Sequence, residues 1–242
     1  MHIDLLDAPS RPARFSGAVF PTRDAPAGLD LRGEADHRIA NHLAQLTAYV
    51  RLKAAALTNQ AEEPTRESMH LVLDGLGAQI AAVARLHRDL ACDARQESAD
   101  LGEHLHQICT GFASDLSGGA EIIEEMLPGC AVRPDQTLPL SQVVVEAITS
   151  ALRRVQRRGG AGVVLVGCRR DVSGRVAVEV TDSGPELPES FDPEVDEGMG
   201  YRLARAIGKR LGALIELQAT GCGVRFCLTL PATEPWPVSC GG

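Results

Sequence analysis

Aromatic residues make up only 3% of the 242 in this chain, so any core must be packed from Leu, Val, Ile and Ala. Long apolar runs are missing too. The stretch around Val163 to Val166 falls far short of the ~20 residues that cross a bilayer, and no apolar signal core precedes the N-terminal prolines. Positive charge is not in excess. The formal net charge is −8, which argues against a general surface for nucleic acid or anionic membrane. The seven cysteines contain no C-x-x-C pair, and Cys222 and Cys227 are the closest two. An odd, scattered set reads as reduced thiols, mostly small core residues, and predicts a cytoplasmic protein. No ligand constellation surrounds His70, His104 or His106, so solvated positions are expected for all three and no metal site is predicted.

What is present suffices for a sizeable core and two domains, since 44% of the residues are hydrophobic. Residues 1–29, with Pro9, Pro12, Pro21 and Pro26, predict a flexible leader, with a docked piece at Ile3 to Leu6 as a possible exception. That is too little chain for a sensor domain, so any signal is expected from another protein. Residues 30–93 predict a helical hairpin: a helix from Leu31 to about Leu57, a break at Thr58 to Thr65, and a second helix from Glu67 to Cys92. Ile39, Leu43, Leu46, Val50 and Leu57 follow heptad steps, as do Leu73, Leu76, Ile80, Val83 and Leu90. His87 falls on the second seam, which predicts a core or interface histidine. Two such stripes are wider than one partner covers, and a second copy would complete a four-helix bundle. His37 lies two residues before Ile39, which turns it about 200° from the first seam, toward water.

Residues 94–233 change character. Leu101 to Leu116 predicts a helix, Ala120 to Met126 and Gly129 to Arg133 strands about a turn at Pro128, and Ser141 to Gln156 a helix apolar on one side. Gly162 to Arg170 and Arg175 to Asp182 predict a hairpin. After a helix from Gly200 to Leu211, Ala213 to Ala219 and Val224 to Leu230 predict another. Helices and mostly antiparallel strands in this order suggest a sheet covered by helices on one face, and residues 234–242 a loose tail.

The stretch Glu34, His37, Arg38, Asn41, Leu43 fits E-x-x-H-R-x-x-N-x-L, and downstream stand Asp182-Ser-Gly184-Pro and Gly198-Met-Gly200. Together these resemble the histidine kinases of two-component signalling, over roughly residues 31–231. The resemblance implies an α+β chain: a dimeric four-helix bundle, two helices per chain, followed by a Bergerat-type α/β sandwich of the kind shared with gyrase, Hsp90 and MutL. It implies that His37 is the phospho-acceptor and that receiver domains of response regulators are partners. An exposed imidazole is largely neutral near neutral pH and has a free ring nitrogen for attack on phosphorus. Glu34 or Asp36 would orient the ring or take up a proton. Arg38 would stabilise the incoming phosphoryl group, and Asn41, one turn on, would hold a hydrolytic water. The nucleotide site implied is Glu146, Ser150, Asp182, Gly184, Gly198 and Gly200, with Asp182 hydrogen-bonding adenine.

That site departs from the family pattern. Where the family has N-E-L-x-x-N-A, this chain has Val145-Glu146-Ala147-Ile148-Thr149-Ser150-Ala151. Both asparagines are gone, and the second normally ligates Mg²⁺; valine offers no ligand and serine reaches less far. Glu186 replaces the next glycine of D-x-G-x-G. The lid from Glu186 to Gly198 holds Glu186, Glu189, Asp192, Glu194, Asp196 and Glu197 and no Lys or Arg. Those charges repel a triphosphate, about 1 kcal/mol per pair at ~4 Å in water. The leading expectation is a phosphorelay histidine phosphotransfer protein that shuttles a phosphoryl group between receiver aspartates through His37 without a cofactor. The alternatives are a sensorless kinase that autophosphorylates His37 from Mg-ATP, and a non-catalytic regulator-binding scaffold or phosphatase.

Overall fold

The computed structural model describes residues 27–58, 64–92, 98–113, 119–188, 191 and 199–232, giving the backbone only for 27–36, 38, 89–92 and 199. Two long helices come first, α1 (Ala27–Thr58) and α2 (Arg66–Cys92). A short strand β1 (Ala99–Asp100) leads into α3 (Leu101–Ala113), then β2 (Ala120–Met126), β3 (Ala131–Val132) and α4 (Pro134–Arg157). The chain closes with β4 (Gly162–Arg170), β5 (Val176–Asp182), α5 (Met199–Leu211), β6 (Leu214–Ala219) and β7 (Val224–Thr229). Five strands form one sheet in the order β2-β4-β5-β7-β6, parallel only between β2 and β4. The expected α+β architecture is what is seen: a helical region followed by an α/β sandwich.

Period-two burial places the sheet's inner face. Val164, Val166 and Cys168 of β4, Val176, Val178 and Val180 of β5, and Val224, Phe226 and Leu228 of β7 are all buried. Against them lies α4, flanked by α3 and α5. With so few aromatics, the core is built mostly of aliphatic side chains, with Phe112 as its largest fully buried member.

Helix α4 begins seven residues before Ser141, where the sequence pattern predicts its start. Pro134 occupies the first turn, where its fixed φ suits a helix and its missing N–H costs nothing. The Gln136 side chain accepts from the Arg133 N–H at 3.2 Å and closes the N-terminus. Pro139 sits inside the helix and removes only the bond to the carbonyl of Asp135, an exposed first-turn residue. The expected β-turn at Pro128 does not pair its flanking strands. Instead β2 runs parallel to β4, while β3 pairs antiparallel with β1.

The hairpin and the sandwich share a core. Leu71, Ala78 and Ala82 of α2 belong to the same apolar cluster as α3 and α4. Gly111 permits the close crossing, because a Cβ there would stand 2.6 Å from the Cβ of Ala78. The window Arg66–Arg88 of α2 has the length and apolar composition of a membrane-crossing helix, yet 44% of it is buried inside the chain. On α1 the residues facing inward are His42, Leu46 and Tyr49. Of the predicted first seam, Leu46 is buried and Leu57 half-buried, while Ile39, Leu43 and Val50 remain exposed. On α2, Val83 is buried and Leu76 half-buried, while Leu73 and Ile80 are 62% and 52% exposed; the Leu90 side chain lies outside the described residues.

The histidines divide by helical phase. His87 is half-buried and meets His42 across the hairpin, with 3.0 Å between Nε2 and Nδ1, as its place on the seam predicts. His70 and His106 are exposed, His106 paired with Glu124 at 2.8 Å. His104 corrects the expectation of a solvated residue. It lies on the buried stripe of α3 with Leu101, Leu105 and Ile108, and its Nε2 is 2.5 Å from Ser141 Oγ. Burial, aided by the charge of His42, pushes its pKa down to about 4.

Candidate functional site

His37 is exposed on α1, as its phase relative to the seam predicts. Asn41, one turn on, shares that solvent face, and its amide N–H donates to His37 Nδ1 at 2.9 Å. The side chains of Glu34, Asp36 and Arg38 lie outside the described residues, as do residues 1–26 of the expected leader (27–29 already belong to α1), the Thr58–Thr65 break beyond Thr58 up to residue 63, Gly198, the C-terminal tail, and the acidic positions Glu189, Asp192, Glu194, Asp196 and Glu197. Among the described residues no cluster of His, Cys, Asp or Glu is arranged to hold a metal ion.

The second group of candidates surrounds α4. Glu146 is buried, and α1 supplies its partners: Tyr49 donates its hydroxyl to Oε1 at 2.5 Å, and the Lys53 ammonium donates to Oε2 at 2.6 Å. Burial first, and then the Glu146 carboxylate, raises the Tyr49 pKa far above that of an ordinary phenol, so the hydroxyl stays a donor. Gly200, at the start of α5, has its Cα so close to Glu146 that a Cβ would collide with Oε2. Tyr49 lies twelve residues beyond His37 in the sequence, about 18 Å along the helix axis. His37 and the Glu146 carboxylate are therefore held apart.

Asp182 ends β5 with its side chain fully buried. The Gly184 N–H donates to Oδ1 at 2.9 Å, and Arg154 donates to Oδ2 from Nε at 2.9 Å and from Nη2 at 2.7 Å. Gly223 makes this packing possible, since a Cβ there would overlap the carbonyl oxygen of Asp182. Ser150 is exposed, and its Oγ accepts from Arg154 Nη1 at 3.4 Å. Val145 is buried and apolar. The structure thus brings Ser150, Asp182 and Gly184 together around one guanidinium, and Glu146 with Gly200 nearer α1.

These residues do not fit Mg-ATP. The position that would ligate the metal offers a hydroxyl already facing Arg154, Val145 offers no oxygen, and both carboxylates are engaged within the chain. Motif reading passes over Tyr49, Lys53 and Arg154. A signal for the first two exists: His42, Leu46, Tyr49 and Lys53 are spaced by four, three and four, which is one helix face. Arg154 stands one turn after Ser150 in the run Arg153-Arg154-Val-Gln-Arg157-Arg158, which reads as a solvated basic end.

Two families match the chain. The family described as "Histidine kinase" covers residues 34–115, and "Histidine kinase-, DNA gyrase B-, and HSP90-like ATPase" covers 135–234. The "Blue-light-activated histidine kinase 2" of Erythrobacter litoralis (strain HTCC2594) is 22% identical over 205 residues, covering 83% of this chain and 57% of that protein. The chain therefore spans little more than half the length of that relative. The solved histidine kinase domain of an Erythrobacter litoralis blue-light-activated kinase superposes with a TM-score of 0.61 at 20% identity, over 84% of this chain and 91% of that one. A longer structure of that kinase gives a TM-score of 0.60 at 20% identity, over 88% and 62% of the two chains.

Proposed function

The chain belongs to the histidine kinase family of two-component signalling, and from that premise we propose that it is a phosphotransferase whose carrier is His37. In the reading that the side chains support best, His37 exchanges its phosphoryl group with the aspartate of a receiver domain. The Nε2 lone pair attacks the phosphorus of the acyl phosphate, an N–P bond forms, the P–O bond to the receiver carboxylate breaks, and that carboxylate leaves with the electron pair. A nucleophilic Nε2 requires the ring proton on Nδ1. As placed, the Asn41 amide N–H donates to Nδ1; turning the amide over sets its carbonyl oxygen to accept from Nδ1–H, and that bond then stabilises the imidazolium formed on attack. Arg38 screens the incoming phosphoryl charge, and Glu34 or Asp36 takes up the proton afterward.

One observation favours transfer over autophosphorylation: the buried carboxylate of Asp182 already accepts two hydrogen bonds from Arg154 and one from the Gly184 N–H. The comparisons favour the second reading, a working kinase that draws on ATP, because both domains match in kinase order and the relatives are kinases. The two readings share His37, the receiver partner and the dimer. Ile39, Leu43, Val50, Met69, Leu73 and Ile80 are exposed apolar residues on α1 and α2, and a second copy would cover them as a four-helix bundle. The scattered cysteines, with Cys109, Cys130 and Cys168 unpaired and buried, support a cytoplasmic location.

Two incubations separate the readings. With a phosphorylated receiver, wild type should become labelled and His37→Ala should not. With labelled ATP and Mg²⁺ the protein should remain unlabelled. Labelling of His37 by ATP would replace transfer with the kinase reading, and labelling by neither donor would leave a scaffold or phosphatase.

A further inference from the structure

Arg154 lies outside every motif discussed above, yet it ties together the two positions at which the family resemblance puts base recognition and metal. Its guanidinium donates twice to Asp182 Oδ2, at 2.9 and 2.7 Å, and reaches Ser150 Oγ at 3.4 Å. The other oxygen of Asp182 is taken by the Gly184 N–H at 2.9 Å. The carboxylate is completely buried and Arg154 is 16% exposed, so this pair sits in the fold and not on its rim. Gly184 permits the close packing of this loop on Arg154, because a Cβ there would stand 2.7 Å from the Arg154 Cβ. The two N–H groups converge on the one oxygen, and both hydrogen bonds are charge-assisted from each side.

From this geometry we infer that Arg154 is the residue that excludes adenine nucleotides, an internal guanidinium standing where the exocyclic amine of the base would bind. An incoming adenine has one neutral amine to offer Asp182. Oδ1 is packed against Gly184 and Gly223, so the base must take Oδ2, which means breaking two charge-assisted hydrogen bonds and leaving the guanidinium without its carboxylate. The exchange runs uphill whatever happens at the phosphates. Loss of nucleotide binding then has a cause separate from the missing asparagines: Val145 and Ser150 weaken the metal, while Arg154 closes the base pocket. The inference rests on Asp182 being the base-recognising carboxylate, as assumed in the reading above.

Calorimetric titration of the full chain with adenosine diphosphate in metal-free buffer tests this, because Val145 and Ser150 do not enter once Mg²⁺ is removed. Wild type should give no binding heat. Arg154→Gln should give a saturable binding heat with adenosine diphosphate, at an affinity at least about tenfold tighter than the weakest the titration would detect in wild type (~1.4 kcal/mol), and should not respond to guanosine diphosphate. Removing the guanidinium leaves a buried carboxylate, so circular dichroism must show a folded variant. If Arg154→Gln does not fold, Arg154→Lys, which keeps the charge and loses the fork, is titrated in its place. A silent wild type with a silent folded variant would overturn the role of Arg154 and leave phosphotransfer standing. A wild type that binds the diphosphate without labelling His37 from ATP would overturn the inference alone. A wild type that binds and autophosphorylates would overturn both.

Discussion

Replacing Lys53 by methionine removes the ammonium that holds Glu146 and keeps most of the aliphatic stem. The pair is well inside the protein, with the Lys53 and Glu146 side chains 12% and 6% exposed, and the ammonium is 2.6 Å from Oε2. Breaking one partner of a buried ion pair generally costs about 3–5 kcal/mol, because the remaining charge is uncompensated. Here Tyr49 still donates to Oε1, which argues for the low end, about 3 kcal/mol. For a chain of this size that corresponds to a fall in Tm of roughly 6–12 °C, read by differential scanning calorimetry. The double variant Lys53→Met/Glu146→Gln should recover much of the loss, since no buried charge is left alone. A Lys53→Met protein within about 0.5 kcal/mol of wild type would place this contact in solvent and refute the clamp between α1 and α4.

Further outcomes follow from the same structure. The His104 pKa is depressed to about 4 from 6.5, so between those values the unfolded chain binds the extra proton. The stability due to this neutral imidazole, about 3 kcal/mol, is complete above pH ~6.5 and is lost as pH falls toward ~4; His104→Gln should flatten denaturant midpoints over that range, and an unchanged slope would contradict its burial. Leu73→Glu should shift the mass found by light scattering toward the monomer while leaving circular dichroism intact, and an unchanged dimer mass would remove Leu73 from the interface. Gly223→Ala should lower Tm by several degrees, as a Cβ at φ 153° meets the carbonyl of Asp182. Asn41→Leu should slow receiver-to-His37 transfer by about tenfold or more, the low side of what a positioned proton partner supplies, whereas Asn41→Asp, a fixed acceptor, should retain it.

Periodicity made most of the fold legible. Alternation found β4 and β5 within a residue of their ends, and heptad spacing found both long helices. The failures have physical causes. The expected start of α4 at Ser141 came seven residues late, because the helix uses Pro134 as its opening residue and tolerates Pro139 near an exposed end. His104 was placed in water for want of ligands around it, although its spacing of three from Leu101 and one from Leu105 puts it on the buried stripe. The seam split, with Leu46 and Val83 turned inward and Leu43 and Leu73 outward, because α1 and α2 also pack against α4. Motifs located His37, Asn41, Glu146 and Asp182. They pass over Tyr49, Lys53 and Arg154, whose partners stand 97, 93 and 28 residues away in sequence; helical spacing puts Tyr49 and Lys53 on one face of α1 but does not say which residue they meet.

Phosphorus NMR on the chain mixed with a phosphorylated receiver domain tests the central claim most directly. A phosphohistidine resonance should grow as the acyl-phosphate signal decays, should vanish with His37→Gln, and should not form from ATP and Mg²⁺ alone. A phosphohistidine signal that needs ATP, or one that survives the loss of His37, would contradict the account.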